Sequence, residues 1–351
     1  MALLWFDGFD RYGDGVGYPY QTEPTGIMSG RYKLAEDGDI ALKVCAGRVG
    51  GYSIAIAYDT SHWFQTPHLT TDRTLIIGFS MRQPIAQAGK FLQFKTINNY
   101  YVGVQLQINA DGSLSLYSGW NLLGTTDAGV ISWGTWYFVQ LKVYCDDSAG
   151  TYELRVNNAV ELQGVADTKD DPNNNYYAAI RFQSINPDVD KNPRIDDFWM
   201  CDSTSAVCND FLGPGQVVTT LIPSSEGDSS DWDVTPGPNH YEAVDELKQD
   251  DSEYVESTVT DDLDLYNYES PPAMCEIKGV QIHSEAKITG TEEKILKTVI
   301  KHATTEDADA GVSVGTSDYL TFTRLMLINP VTSLDWVRGD IDNLQAGVKV
   351  G

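Results

Sequence analysis

Tyr101-Val102-Gly103-Val104-Gln105-Leu106-Gln107-Ile108 alternates apolar and polar residues, and Asp111-Gly112 turns the chain into Ser113-Leu114-Ser115-Leu116-Tyr117, which alternates again. A period of two marks a strand with one face in a core, and Asp-Gly between two such runs signals a hairpin. Working outward, residues 74–81 and 91–95 precede this hairpin as strand candidates. Residues 136–144 and 151–156 follow it, separated by a Cys-Asp-Asp-Ser-Ala-Gly turn, and Asn157-Asn158 supplies the next turn. No amphipathic helix interrupts the series. Evenly spaced short strands with turn residues between them predict a sandwich or jelly roll.

The whole chain has 351 residues, which fits two domains better than one. Its 19 Tyr, 11 Phe and 8 Trp favour sheets over helical bundles. No run of about 18 apolar residues occurs, so no helical span of a bilayer is expected. The opening Met1-Ala2-Leu3-Leu4-Trp5-Phe6-Asp7 has neither the positive start nor the long apolar stretch of a secretory signal, which predicts synthesis in a cytoplasm and release only by another route or by lysis. With 24 Lys and Arg against 50 Asp and Glu, the net charge is −26. Such a chain repels a phosphate backbone and an anionic membrane surface, so neither nucleic acid nor membrane is an expected partner. Five cysteines include no C-x-x-C pair, which argues against zinc. Cys201 and Cys208 could bridge a short loop or stand as reduced thiols, and a cytoplasmic origin favours the second.

Three stretches carry a family resemblance: Gly134-Thr135-Trp136-Tyr137-Phe138-Val139-Gln140-Leu141, Tyr152-Glu153-Leu154-Arg155-Val156-Asn157-Asn158, and Arg194-Ile195-Asp196-Asp197-Phe198-Trp199-Met200. Their order resembles the late strands of a concanavalin A-like, laminin-G-like jelly roll. The opening residues 3–12 and Gly47-Arg48-Val49-Gly50-Gly51 resemble the starts of tailed-bacteriophage virion proteins of that fold. The resemblance covers residues 1–212, and it implies an all-β chain: a concanavalin A-like jelly-roll sandwich followed by a second, smaller β-sandwich domain at 213–351.

The charge divides unevenly at that boundary, with 15 basic and 24 acidic residues before it and 9 and 26 after it. Between Glu226 and Glu269 lie fifteen acids and Lys248 as the lone base. Trp232, Tyr241, Tyr254, Leu263, Leu265, Tyr266 and Tyr268 in the same segment are too many apolar groups for a solvating tail. They predict an ordered segment with its acids facing outward, and Asp250, Asp251, Asp261 and Asp262 are the candidates for meeting a basic partner surface. Residues 277–288, 294–301 and 319–327 are strand candidates, and a short helix fits the stretch 334–348. The series Trp232-Asp233-Val234-Thr235-Pro236, Asn329-Pro330, Trp336 and Leu344-Gln345-Ala346-Gly347-Val348 again resembles the C-terminal domain of such virion proteins.

No G-x-S-x-G, H-E-x-x-H, P-loop or dinucleotide fingerprint is present. The jelly-roll class also hosts glycoside hydrolases that place carboxylates as E-x-D-x-E, about 5 Å apart on one strand face. This chain lacks that spacing, and Asp196-Asp197, being adjacent, should point to opposite faces of a strand. The chain is therefore expected not to be an enzyme. Laminin-G-like folds often hold calcium at a loop rim, and Asp10 with Asp14, or Asp170 with Asp171, offer the hard oxygens it takes; acid-rich turns are ordinarily just turns. His62 and His68 frame Trp63, with loop packing the commoner role. Exposed Trp63 or Trp120 would stack on sugar rings as in lectin-type sandwiches. The expectation is a virion structural protein (decoration, collar, fibre or minor tail protein) without a cofactor, made in the host bacterial cytoplasm. It would bind capsid or tail proteins and itself, preferably as a trimer. The alternative is a carbohydrate-binding adhesin for host-surface glycans, and the third reading, behind it, is a glycoside hydrolase.

Overall fold

The computed structural model describes residues 2–12, 28, 31–35, 42–56, 62–98, 102–213, 215–246, 252–273, 275–315 and 319–351. The chain divides into two units, residues 1–218 and 219–351. The first unit reaches past residue 212 because its tail lies on the sheet it has just left. Arg155 packs its guanidinium 4.1 Å from the Phe211 ring, Lys142 pairs with Asp210, and Val218 N donates to Asp197 Oδ1.

The strands of the first unit are β1 (Leu3–Asp7), β2 (Lys33–Leu34), β3 (Leu42–Ala46), β4 (Tyr52–Ile56) and β5 (Trp63–Gln65). Then come β6 (Thr74–Arg82), β7 (Gly89–Lys95), β8 (Val102–Ile108), β9 (Leu114–Ser118) and β10 (Asn121–Thr125). β11 (Trp136–Tyr144), β12 (Gly150–Val156), β13 (Ala159–Ala166), β14 (Ala179–Gln183) and β15 (Arg194–Asp202) complete it. One sheet runs β13-β12-β11-β6-β15-β4-β3, with β1 also on β15; the other runs β10-β9-β8-β7-β14-β5-β2. Every recorded pairing is antiparallel, and the two inner faces share one apolar core that includes Phe79, Leu141 and Met200 from one sheet and Phe94, Leu106 and Phe182 from the other. Rings of Phe79 and Phe198 meet Phe182 edge-on at 5.5 and 5.2 Å. The jelly-roll sandwich is thus present. The expected hairpin is β8–β9, with Gly112 at a φ of 79°. Asn157 and Asn158, both at positive φ, close β12 onto β13, as a tight hairpin requires.

The adjacent aspartates behave differently from the flat-strand expectation. Asp197 adopts a φ of 50°, and the pairing of β15 with β6 slips between Asp196 and Trp199, so a bulge interrupts the alternation. Both carboxylates consequently reach Arg48: Asp196 Oδ2 accepts from its backbone N at 2.7 Å, and Asp197 Oδ2 from its Nε at 2.8 Å. Burial, followed by the charge of Asp197, raises Asp196 above the usual carboxylate range.

The second unit contains a six-stranded sheet. Its strands are β16 (Pro223–Ser230), β19 (Leu263–Tyr268), β27 (Leu344–Val350), β21 (Lys294–His302), β22 (Thr305–Ala308) and β23 (Val312–Val314), after the short pair β17 (Asp233–Thr235) and β18 (Tyr254–Glu256). A second layer is the pair β20 (Val280–Ala286) and β24 (Leu320–Met326), while β25 (Ile328–Asn329) and β26 (Leu334–Asp335) form a small hairpin. Ile300, Met326 and Trp336 lie together in its core, and the short helix Arg338–Asp342 adds Ile341.

The N-terminal strand is locked by a buried charge. Asp7 Oδ2 accepts from Tyr12 Oη at 2.7 Å and Tyr32 Oη at 2.9 Å, and lies 3.3 Å from Arg31 Nη1. Arg31 in turn sits 4.3 Å over the Trp5 ring. Removing one member of a buried pair strands the other charge. Asp7→Ala is expected to cost about 3–5 kcal/mol, measured by denaturant unfolding.

Candidate functional site

The alternation that packs the core of the seven-stranded sheet also decides what its other face carries. Phe64, Ile180, Phe182, Leu92, Phe94, Val104 and Leu116 point into the core. Their strand neighbours Trp63, Gln65, Arg181, Gln183, Gln93, Lys95, Gln105 and Tyr117 fall on the opposite face. A register slip between Lys90 and Leu92, with Phe91 buried in the core, brings Lys90 round to that face too.

Register then assembles these residues into one row. Lys33 pairs with Gln65, Gln65 with Arg181, Arg181 with Gln93, Gln93 with Gln105, and Gln105 with Tyr117. Six strands spaced about 4.8 Å apart make the row roughly 24 Å long. Its side chains are linked along the same line. Arg181 Nε donates to Gln65 Oε1 at 3.0 Å while its guanidinium lies 3.7 Å from the Trp63 ring centroid. Gln93 Nε2 donates to Gln183 Oε1 at 2.5 Å, and Gln183 Nε2 to the Lys90 carbonyl at 2.6 Å. Gln105 Nε2 donates to the Gly119 carbonyl at 2.6 Å. At the far end Lys90 Nζ sits 4.3 Å from the Tyr117 ring centroid and 5.2 Å from that of Trp120, which is 93% exposed.

The electrostatics of the row are unusual for so acidic a chain. Burial pushes the Lys95 ammonium down to about 7, with the Arg181 charge adding to it and Asp170 opposing it. Burial lowers Arg181 to about 10 and lowers Lys90 as well. Among the described residues, none of the three makes an ion pair. Gln93 is 7% exposed, and its Oε1 has no hydrogen-bond partner among the described residues. Aromatic rings, amides and partly desolvated cations in one row can bind a polar, ring-containing ligand.

Of the residues singled out from sequence, Trp63 and Trp120 both belong to this face, at different positions along it. Lys95, Arg181 and the glutamines were not singled out, although their alternation with apolar residues is plain in the sequence. The cation candidates separate. Asp14 lies outside the described residues; Asp10 Oδ1 accepts from Tyr52 N at 2.7 Å. Asp171 already accepts from Thr96, Asn98, Asn173 and Asn174, so it organises a turn, and Asp170 accepts from Val102 N. No group of three metal-ligating side chains occurs among the described residues. Asp250 and Asp251 lie outside the described residues. Asp261 pairs with Lys349 at 3.1 Å, and Asp262 accepts from Ser257 Oγ at 2.6 Å. The described parts of the acidic segment, 226–246 and 252–269, are ordered as their apolar residues imply, but not all their acids face outward: Asp264 is buried, held by His240 Nδ1 at 2.9 Å and Tyr266 Oη at 2.7 Å. Cys201 and Cys208 are free thiols.

No family model matches the sequence, and no curated protein matches it either. Solved structures do match the fold. An alginate lyase, vAL-1 from Chlorella virus, aligns with a TM-score of 0.36 and 10% identity over 51% of this chain and 96% of its own. The carbohydrate-binding module CBM66 from Bacillus subtilis aligns at 0.32 and 5% identity over 49% and 95%. Domain 4 of the arabinanase AbnA from Geobacillus stearothermophilus, in complex with arabinotriose, aligns at 0.31 and 14% identity over 49% and 93%. These likenesses concern the sandwich architecture. With lyases and a module of an arabinanase among them, the expectation of a non-enzymatic chain is corrected and withdrawn.

A buried lysine that serves only packing is hard to explain, because its unfolded state holds the proton more tightly than its folded state. Between about pH 7 and the ordinary lysine range the unfolded chain binds more protons, so stability rises with pH there. Lys95→Met is expected to raise stability at pH 6 by about 2 kcal/mol, with the gain shrinking as pH rises towards 10. Thermal unfolding across that range measures it.

Proposed function

We propose that the outer face of the seven-stranded sheet binds a saccharide chain. The observation that carries this reading is the row from Lys33 through Gln65, Arg181, Gln93 and Gln105 to Tyr117, in register across six antiparallel strands. Sugar rings offer apolar faces to aromatic side chains and a fringe of hydroxyls to amides, guanidinium and ammonium groups. Trp63, Tyr117 and Trp120 supply the rings, and the partly exposed Arg181, Gln183 and Lys90 supply the polar groups, while Gln65, Gln93 and Gln105 are buried and hold the row in place. The row is extended rather than a closed pocket, which suits several linked sugar units better than a single small molecule.

Calorimetric titration with a panel of oligosaccharides tests the reading. Trp63→Ala and Arg181→Ala are each expected to weaken binding about tenfold or more, the loss typical of a buried anchor. Leu334→Ala, an exposed residue of the second unit, should leave affinity unchanged. Absence of binding across the panel would overturn the reading. The same incubations are read for new chain ends, and cleavage abolished by Lys95→Met would assign turnover to this face. The virion setting is a separate proposal, checked by identifying the chain in purified particles, with a trimer by light scattering as the accompanying outcome.

A further inference from the structure

We propose that the saccharide held on this face is acidic, with a sugar carboxylate seated on the Nη edge of Arg181, the charge of nearby Lys95 supporting it from within the sheet. The inference rests on the saccharide-binding reading and concerns the chemical class of the ligand. Acids outnumber bases about two to one in this chain, so a buried cation would ordinarily find a carboxylate. Elsewhere in the first unit buried Arg31 meets Asp7, and partly buried Arg48 meets Asp197. On the candidate face, Lys90, Lys95 and Arg181 make no ion pair with any described residue.

At Arg181 the geometry leaves the right atoms available. Arg181 is held in place by Trp63 beneath its guanidinium and by Gln65 at Nε, and no described residue takes a hydrogen bond from its Nη atoms. A guanidinium positioned through Nε presents its remaining nitrogens as donors to a planar carboxylate. Lys95 lies one residue pair along the same strand face from Gln93, which is the direct partner of Arg181. Lys95 is 1% exposed, so it acts on a carboxylate at Arg181 through its charge and not by contact, and the acid that acts on it is Asp170, whose Oδ2 is engaged by Val102 N. The cost of burying these cations is recovered when an anion arrives, because the desolvation has already been met in the free protein. A neutral sugar recovers none of it.

The test compares uronate oligosaccharides with the same oligosaccharides after reduction of their carboxylates to alcohols. Full-length protein is expected to bind the acidic form at least about tenfold more tightly. Arg181→Gln and Lys95→Met should each abolish that preference, Arg181→Lys should keep part of it, and Lys142→Gln on the other sheet should keep all of it. Circular dichroism of each variant establishes that it is folded. At about pH 8, where Lys95 is mostly neutral in the free protein, seating the carboxylate should draw a proton onto it, giving a binding heat that depends on the buffer's ionisation enthalpy. Equal affinity for acidic and reduced oligosaccharides overturns the acidic assignment and leaves the saccharide reading standing. Failure to bind either form overturns both. A preference that survives in both Arg181→Gln and Lys95→Met places the carboxylate elsewhere and overturns the seat assigned here.

Discussion

The constraint on which the first domain depends is the register of β14 between β5 and β7. Ile180 and Phe182 point into the core only if Arg181 points out, and a slip of one residue would exchange the two sets. Phe182 touches rings from both sheets, so the core holds the strand in this register. Arg181 is thereby placed opposite Gln65 on one side and Gln93 on the other. Packing and the candidate face are consequences of one alternation, and neither can change without the other.

Two treatments of charge coexist in this domain. Asp7 and Asp197 are buried with their counter-ions and several hydroxyl or backbone donors, as a buried charge must be if it is not to destabilise the fold. Lys95 is buried and Arg181 partly buried, and neither has a counter-ion among the described residues. A fold selected only for stability has an inexpensive remedy at such positions, since methionine or glutamine fits a similar volume. On the proposed reading, the stability cost of these desolvated cations is tied to the binding chemistry of the face.

Much of the architecture was legible in the amino-acid order. The hairpin at Asp111-Gly112, the strands around it and the asparagine turn at 157–158 follow from period-two alternation and from residues that tolerate positive φ. The bulge at Asp197 was not legible, because a local departure from strand geometry leaves no mark on the alternation until the opposing strand is known. The face was half legible. Glutamine and lysine at alternate positions mark an outer surface, but their convergence into one row depends on pairings between residues far apart in sequence, such as Gln65 with Arg181. The same holds for the burial of Asp264, which needs His240 and Tyr266 around it and looks in the sequence like one more acid in an acidic run.

The overall charge sets how such a face meets an acidic ligand. A net charge of −26 repels any polyanion at distance, but that field fades within a Debye length of about 8–10 Å at physiological salt. Interactions with buried Lys95 and partly buried Arg181 act inside this distance and are screened far less. Long-range repulsion and short-range attraction therefore act on different steps, the first slowing encounter and the second slowing departure. A nucleic acid, whose recognition draws heavily on long-range attraction to many phosphates, gains little from two or three recessed cations. On the proposed reading, a saccharide with carboxylates spaced along a chain of stackable rings meets Arg181 at contact distance, together with the tryptophans that nucleic-acid charge alone would not require. The acidity of the whole and the basicity of the row act, on the same reading, as one selectivity device: the surface charge slows polyanions in general, and the face holds the one whose shape lets it come close.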